Sequence, residues 1–333
     1  MFDLLAKVTN AFGVSGNEEA VREVIKDEIK DMADDISVDP LGNLIAIKKG
    51  KSKKLIRGKG KKIMIAAHMD EIGIMATYID EKGFIRFTNI GGVSPFNSIG
   101  QRVRFKNDTV GVVYYEEKLE DIKNLQLQKM YIDIGAKSRE ETEKLVKIGD
   151  TACFLGDAKK QGDYIISKAM DDRCGCAVAI EALKNLPDTE NEIYFVFTVQ
   201  EEMGLRGAKT AAYQIMPDLA IALDVTGTGD KPESHIMEVK LGAGPAIKIK
   251  DSSVICHPEV KRLLEDSAKK LNIPFQYEIL ERGGTDAGSI HLTGGGIPSG
   301  VLSIPCRYIH SPSEMICMSD LENAVKIIVE AIK

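Results

Sequence analysis

The sequence predicts an α/β fold interrupted by a small all-β domain. Four short apolar runs, of the kind that form strands buried on both faces, alternate with amphipathic helical patterns. Between residues 73 and 163 this pattern gives way to short alternating strands separated by glycines and charged turns. The chain of 333 residues is long enough for two domains. We therefore predict a discontinuous α/β domain of residues 1–72 and 164–333, with an all-β domain of residues 73–163 inserted in it.

The first elements are a helix and a strand. Ser15 and Glu18 have the spacing of a capping box ahead of an amphipathic helix predicted over about residues 17–33. A strand is predicted at residues 44–47. Residues 48–62 then hold nine Lys or Arg but no aromatic side chain on which a nucleic-acid base could stack, so we predict an exposed hairpin tip there.

The buried strands and remaining helices of the α/β domain follow the same alternation. The predicted buried strands cover residues 63–67, 193–199, 219–223 and 301–304. One predicted helix begins at Asp171, and two more cover about residues 258–271 and 320–332.

Composition excludes several classes of partner. The chain carries 44 Lys and Arg against 50 Asp and Glu, a net charge of −6, so it gains little from phosphate backbones or anionic lipid. It contains no run of about 18 apolar residues, and its first residues lack the layout of a signal peptide. We therefore expect no nucleic-acid or membrane partner, and a cytoplasmic protein whose six cysteines stay reduced.

Ionisable side chains stand where the buried strands end. Because ligands bind outside the carboxyl ends of strands in open α/β sheets, these side chains are expected to converge at one edge. Imidazoles and carboxylates without thiolates suit divalent Zn, Co or Mn. His235 and His257 have no acidic motif beside them on a buried strand and are predicted to be ordinary. The candidates are His68, Asp171, Glu201, Glu202, Asp224 and His310.

These donors are more numerous than one catalytic zinc needs. Two metals about 3.5–4 Å apart, bridged by one carboxylate and a hydroxide, would each take one histidine and one further carboxylate. One of Glu201 and Glu202 then remains free to act as a general base. His68 and Asp70 stand two residues apart in an extended segment and point the same way, so Asp70 can orient the imidazole.

Each feature has an ordinary structural explanation when taken alone. Asp171 and Asp172 are equally well explained as the N-cap of a helix. Asp224 and His310 could be a turn aspartate and a loop histidine. The convergence of four strand ends favours the metal site.

Six motifs, in order along the whole chain, resemble the tetrahedral (TET) aminopeptidases, a family of dinuclear-metal aminopeptidases that includes glutamyl, leucyl and lysyl types. The motifs are A-A-H-M-D-E-I-G (66–73), A-M-D-D-R-C-G (169–175), V-Q-E-E-M-G-L-R-G-A (199–208), A-L-D-V-T (222–226), G-G-T-D-A (283–287) and C-R-Y-I-H-S-P (306–312).

The resemblance implies a mixed central sheet flanked by helices, as in zinc peptidases. It also implies that the insert is a β-barrel-like dimerisation domain, whose dimers assemble into a tetrahedral dodecamer. Each subunit would hold two divalent ions, Zn or Co, bridged by Asp171, with a cis peptide between Asp171 and Asp172. The implied terminal metal ligands are His68, Glu202, Asp224 and His310.

The implied reaction is removal of N-terminal residues from peptides. A metal-bridging hydroxide would attack the scissile carbonyl, with Glu201 as general base and Asp70 orienting His68. Arg206, Arg282 and Arg307 are candidates either for binding an acidic substrate side chain or for structural pairs.

Three other functions compete with this interpretation. Some relatives carry an endo-1,4-beta-glucanase label, although glycoside hydrolysis needs two metal-free carboxyl groups and this chain has no Trp for a sugar platform. A second alternative is another dinuclear amide hydrolase, such as a deacylase or carboxypeptidase. The third is a non-catalytic assembly protein that uses the β-insert for interaction.

Overall fold

The computed structural model of the protein describes residues 1–51, 60–118, 121–234 and 236–333. Most of the lysine-rich tip predicted within residues 48–62 therefore lies outside the described residues, as does His235.

The elements follow one another in a mixed α/β order. The strands are β1 (Asp35–Val38), β2 (Leu44–Lys48), β3 (Lys62–His68), β4 (Gly73–Ile79), β5 (Ile85–Ile90), β6 (Arg102–Phe105), β7 (Val110–Tyr115), β8 (Met130–Asp133), β9 (Thr151–Phe154), β10 (Lys159–Gln161), β11 (Tyr164–Ser167), β12 (Glu192–Thr198), β13 (Leu219–Thr226), β14 (Ala246–Lys250), β15 (Gln276–Ile279), β16 (Ser299–Arg307) and β17 (Glu314–Cys317). The helices are α1 (Phe2–Asn10), α2 (Glu19–Ile29), α3 (Pro95–Ser98), α4 (Arg139–Glu143), α5 (Met170–Asn185), α6 (Arg206–Ile215), α7 (Pro258–Lys270), α8 (Ala287–Ile290) and α9 (Met318–Ile332), with short 3₁₀ turns at Ile122–Asn124 and Leu127–Lys129.

The central sheet is mixed, and its middle is parallel. Across the described ranges its order is β1-β2-β12-β3-β13-β16-β17-β11-β10, with β14 and β15 branching from β16. The parallel pairs are β12 with β3, β3 with β13, and β13 with β16. In register, His68 lies opposite Thr198, and Asp224 lies opposite Ser303. The predicted buried strands therefore end along one edge of the sheet.

Helices cover both faces of the sheet because β3 is apolar on both sides. Ile63, Ile65 and Ala67 belong to the main core, to which α1, α2, α5, α7 and α9 contribute. Met64 and Ala66 point the other way, into a smaller core formed with α6 and α8. This alternation follows from the two-residue period of a strand and gives a three-layer domain. None of the helices in the described ranges combines the length and the apolar character needed to cross a membrane.

The inserted segment forms a closed β-barrel. Its strands follow the order β4-β5-β8-β7-β6-β9 from Gly73 to Phe154. The barrel has its own apolar core, which includes Val103, Val113 and Ile132. β10, which starts at Lys159, pairs with β11 in the central sheet instead. The predicted fold class, an α/β domain with a small all-β insert, is confirmed.

The capping box predicted at Ser15 is wrong. Helix α2 starts at Glu19 and has no side-chain cap. The Ser15 hydroxyl instead donates to Asp70 Oδ2 at 2.6 Å, and Glu18 Oε1 accepts from the amide of Gly16 at 2.7 Å. Glu18 Oε1 also accepts from the amide of Gln200 at 3.2 Å, so tertiary contacts use both side chains that the local pattern assigns to the helix end.

Candidate metal centre

A first group of metal-binding donors forms where β3, β13 and the start of α5 meet. His68 Nε2 lies 2.9 Å from Asp171 Oδ1 and 4.0 Å from Asp224 Oδ1. The three donor atoms lie within 4.8 Å of one another, and all three residues are buried. This spacing is what a single divalent ion requires.

A second group shares Asp171 with the first. His310 Nε2 lies 3.2 Å from Asp171 Oδ2 and 3.2 Å from Glu202 Oε1. The two oxygens of Asp171 therefore face two different groups, one containing His68 and Asp224, the other Glu202 and His310. The sequence left this allocation of the four outer residues open, and the geometry divides them.

The start of α5 frees Asp171 for this position. Asp171 and Asp172 have non-helical backbone angles, and the peptide bond between them is cis, which confirms that part of the prediction. Asp172 Oδ1 accepts from the amide of Gly175 at 3.0 Å, so Asp172 supplies the helix-capping interaction. The N-cap interpretation fits Asp172 rather than Asp171.

A single buried carboxylate, Asp70, holds the surrounding backbone in place. Its Oδ1 accepts from the amide of Glu201 at 3.0 Å, and its Oδ2 accepts from the amide of Glu202 at 3.2 Å and from the hydroxyl of Ser15 at 2.6 Å. Nδ1 of His68 lies 3.4 Å from Asp70 Oδ1 and 3.2 Å from its backbone oxygen. With its proton on Nδ1, His68 presents an unprotonated Nε2 to the first donor group.

Glu201 lies beside His68 of the first group but belongs to neither group. Its Oε2 is 3.9 Å from Nε2 of His68, and 11% of its side chain is exposed. Burial raises the pKa of Glu201 well above its ordinary value, and the charges of Asp224 and Asp286 raise it further. A buried carboxyl group with a raised pKa, close to a metal position, is suited to proton transfer.

The carboxyl groups of the two donor groups lie too close together, and too far from water, to be ionised together without a compensating positive charge. Burial raises the pKa of Asp224 well above its ordinary value, and the neighbouring charge of Asp171 adds to the effect. Burial likewise raises the pKa of Glu202. Because carboxylates resist ionising together in a dry site, bound cations would offset this cost. The residues present fit two divalent ions with oxygen and nitrogen ligands.

The nearby cysteines do not add to this donor set. Cys174 and Cys176 are buried, and burial raises the pKa of both thiols well above the ordinary value. The thiol of Cys176 donates to the backbone oxygen of His68 at 3.2 Å. Both side chains therefore remain neutral thiols, as expected from the sequence.

Two buried carboxyl groups at the site, Glu314 and Asp286, were not predicted from the sequence. Glu314 accepts from the amide of His310 at 2.7 Å and from the amide of Asp171 at 3.0 Å. Asp286 accepts from the hydroxyl of Thr198, at the end of β12, at 2.5 Å. The sequence does contain signals for both groups. Glu314 ends the H-S-P-S-E run at 310–314, and Asp286 is the acidic residue of the G-G-T-D-A motif, to which no role was assigned.

The arginines proposed for an acidic substrate separate in the structure. Arg307 forms two hydrogen bonds to Asp230, at 3.1 and 2.6 Å, which makes it a structural pair. Arg206 donates to Gln200 Oε1 at 3.2 Å, and Arg282 is exposed.

Comparison with known proteins identifies the family of this chain. A family model described as M42 glutamyl aminopeptidase matches residues 42–327. The chain belongs to the M42 glutamyl aminopeptidase family. This M42 member is 70% identical over 332 residues to a protein of Acetivibrio thermocellus named "Putative aminopeptidase", covering 100% of this chain and 98% of that protein.

Solved structures share the whole fold. The Pyrococcus horikoshii TET1 peptidase, whose structure is described as assembling into a tetrahedron or a large octahedral shell, is 36% identical with a TM-score of 0.87. The alignment covers 99% of this chain and 98% of that one. A Thermotoga maritima structure described as an endoglucanase is 35% identical with a TM-score of 0.83, covering 99% and 96% of the two chains. The M42 protein described here is a peptidase, a hydrolase of peptide bonds.

Proposed function

We propose that this M42 peptidase is an aminopeptidase that uses two divalent metal ions per subunit, Zn or Co, to remove N-terminal residues from peptides. One observation carries the proposal. The two donor groups share Asp171, while Glu201 stays outside both, with its Oε2 3.9 Å from Nε2 of His68. Such an arrangement provides two cation positions and a separate base.

Each predicted residue has a role in this proposal. His68 and Asp224 would hold one ion, Glu202 and His310 would hold the other, and Asp171 would be shared by both. The ions would polarise the scissile carbonyl and turn a shared water into the attacking hydroxide.

Protein side chains carry the remaining steps. Glu201 takes the proton from the attacking water and later delivers it to the leaving amine, for which its buried position beside the donor groups is suited. Asp70 acts through other residues, because it orients His68 and fixes the amides of Glu201 and Glu202. We place both in the active site, Glu201 as the catalytic residue and Asp70 as a positioning residue.

The decisive experiment replaces Glu201 by Gln. Peptide hydrolysis should fall by about 10²- to 10⁴-fold, the usual contribution of a general acid-base group, while the metal content stays at two ions per subunit. The exposed Glu117 provides the control, since Glu117→Gln removes an equal charge on the barrel. If Glu201→Gln keeps peptide hydrolysis within twofold of that control, Glu201 is not the general base and the assignment is refuted.

The substrate class has its own test. A panel of aminoacyl chromogenic substrates, each free or acetylated at the α-amine, is hydrolysed with and without added Zn or Co. An aminopeptidase releases the chromophore only from the free forms. One peptide supplied both free and N-terminally acetylated separates the alternatives, since a deacylase or carboxypeptidase acts on the blocked peptide and an aminopeptidase does not. Cellulose hydrolysis that survives a chelator would instead favour the glycoside hydrolase suggested by the endoglucanase name of one relative.

We also propose that the chain assembles through residues 73–163 into dimers and then a tetrahedral dodecamer. The Pyrococcus horikoshii relative forms such shells. On the barrel, the outward side chains of β7, namely Val110, Val112 and Tyr114, form an exposed apolar stripe that supports a contact there. Light scattering after gel filtration measures the assembly. Enclosure in a shell would restrict substrates to short or unfolded peptides, so folded proteins should resist cleavage.

The cellular setting is proposed on the cysteines. All six are free and buried, which suits the reducing cytoplasm. No nucleic-acid or membrane partner is proposed.

A further inference from the structure

The inserted barrel reaches into the metal centre through two glycines. The turn after β5 carries Gly91 and Gly92, and both lie against residues of the second donor group. A Cβ atom at Gly92 would clash with Nδ1 of His310 and lie 2.6 Å from its Cε1. A Cβ atom at Gly91 would lie 2.9 Å from Glu202 Oε2. Backbone without side chains therefore packs directly on two predicted metal ligands.

The turn is held firmly on the barrel side. Asn89 donates to the backbone oxygen of Gly91 at 2.7 Å, and the amide of Val93 donates to the same oxygen at 3.1 Å. Helix α3 follows, with a proline in its first turn. From this helix, Asn97 approaches the backbone oxygen of His310 at 3.4 Å. Because these contacts fix the turn, an added side chain would displace the imidazole rather than the backbone.

His310 is held from the other side by the α/β domain. Its amide donates to Glu314, and its backbone has a φ of 60°, a left-handed conformation unusual for a residue with a side chain. The imidazole thus lies between Gly92 of the barrel and Asp171 and Glu202 of the α/β domain. Its position depends on how the two domains meet.

We propose that the Gly91–Gly92 turn of the barrel is a positioning element of the second metal position, fixing the imidazole of His310 at ligand distance from Asp171. The inference rests on the proposed two-metal function. It assigns to the inserted domain a direct part in building the metal centre. The three nearest atoms to a Cβ at Gly92 all belong to His310, so the effect should be confined to the second ion.

The test compares Gly92→Ala with Gly295→Ala. Neither glycine has a positive φ, and a Cβ atom at Gly295 meets nothing within 4 Å, so the control adds the same methyl group without a contact. Zinc binding to the metal-free proteins is followed by calorimetry, and bound metal is counted by mass spectrometry. We expect Gly92→Ala to weaken the second ion at least tenfold and to leave the first within twofold. Second-ion affinity within twofold of Gly295→Ala would overturn the proposal.

A second pair of variants keeps the test decisive if Gly92→Ala folds poorly. His310→Ala removes the imidazole, so adding Gly92→Ala to it should cause no further loss of thermal stability. If Gly92→Ala lowers the thermal stability of the His310→Ala protein by as much as it lowers that of the unmodified protein, the clash is not with His310 and the proposal fails. The unmodified protein separates the two hypotheses, because binding of fewer than two ions by it would refute the proposed function before Gly92 is considered.

Discussion

Replacing Asp70 by Asn tests how the catalytic backbone is held. Asp70 uses both oxygens, accepting from the amide of Glu201 through Oδ1 and from the amide of Glu202 and the hydroxyl of Ser15 through Oδ2. Asparagine keeps one oxygen. Its NH₂ group can donate to the rotated Ser15 hydroxyl, but it then faces the amide of Glu202 donor to donor.

The cost can be worked from these contacts. Burial by itself would raise the pKa of Asp70, yet the hydrogen bonds from His68 and Ser15 leave it below the ordinary value, so its contacts outweigh its desolvation. Losing one hydrogen bond to a charged group costs about 1.5–3 kcal/mol, and the stranded amide adds about 1–3 kcal/mol that partly overlaps with it. A net cost of about 3 kcal/mol corresponds to roughly a 10²-fold change, at about 1.4 kcal/mol per factor of ten.

The assay measures kcat/KM on a free aminoacyl substrate together with zinc affinity. We expect kcat/KM to fall about 10²-fold in Asp70→Asn, because the amide of Glu202 loses its acceptor, while the amide of Glu201 and Nδ1 of His68 keep only a neutral oxygen in place of a charged one. Asp163→Asn, an exposed position, serves as the matched control. If Asp70→Asn retains more than half of the control's kcat/KM, the reasoning is wrong, since the amides of Glu201 and Glu202 would then need no anion to hold them.

Two further predictions concern stability. Lys248 is fully buried against Glu278 and Asp251, so Lys248→Met should lower the free energy of unfolding by about 3–5 kcal/mol, because it leaves buried carboxylates without a partner. Calorimetry on Lys248→Met and on Lys248→Met/Glu278→Leu measures this loss. The double variant should recover part of it, and equal losses in the two variants would contradict the prediction. Against the opposing effect of partial burial, hydrogen bonds from Arg307 and from the amide of Leu241 lower the pKa of Asp230 from 3.8 to about 2, so this stabilisation is fully present above about pH 4 and is lost as the pH falls towards 2. Urea unfolding of Arg307→Ala and the unmodified protein should therefore differ most at neutral pH, and a difference that grows on acidification would refute the pairing.

The sequence predicts this site well where each signal is local. His68 ends an apolar strand, and Asp224 follows another closely, so the parallel sheet brings them together by the rule that strand ends meet at one edge. Ser15 shows the opposite case. Its local pattern indicates a helix cap, but its hydroxyl is used by a carboxylate 55 residues away. A local motif cannot reveal which of two partners its side chain takes.

The sequence does not reveal how the proposed ligands divide between two groups or which residues support them. Glu314 lies at the start of β17, an antiparallel strand to which the rule about parallel strand ends does not apply. Gly92 has no side chain, so nothing in the sequence marks it as part of the site. It can lie against the imidazole of His310 only because it has no Cβ atom. Some of the contacts that support the proposed metal centre therefore come from residues that no sequence pattern singles out.

The insertion of the barrel also imposes an order on biosynthesis. His68 and Asp171 are in contact in the finished protein but stand 103 residues apart, with the barrel between them. At about 5–20 residues per second, the ribosome needs roughly 5–20 s to pass from one to the other. During that interval the emerging chain contains His68 but not Asp171, the proposed bridging carboxylate. If the proposed metal centre is correct, acquisition of its cations waits until the barrel has left the ribosome.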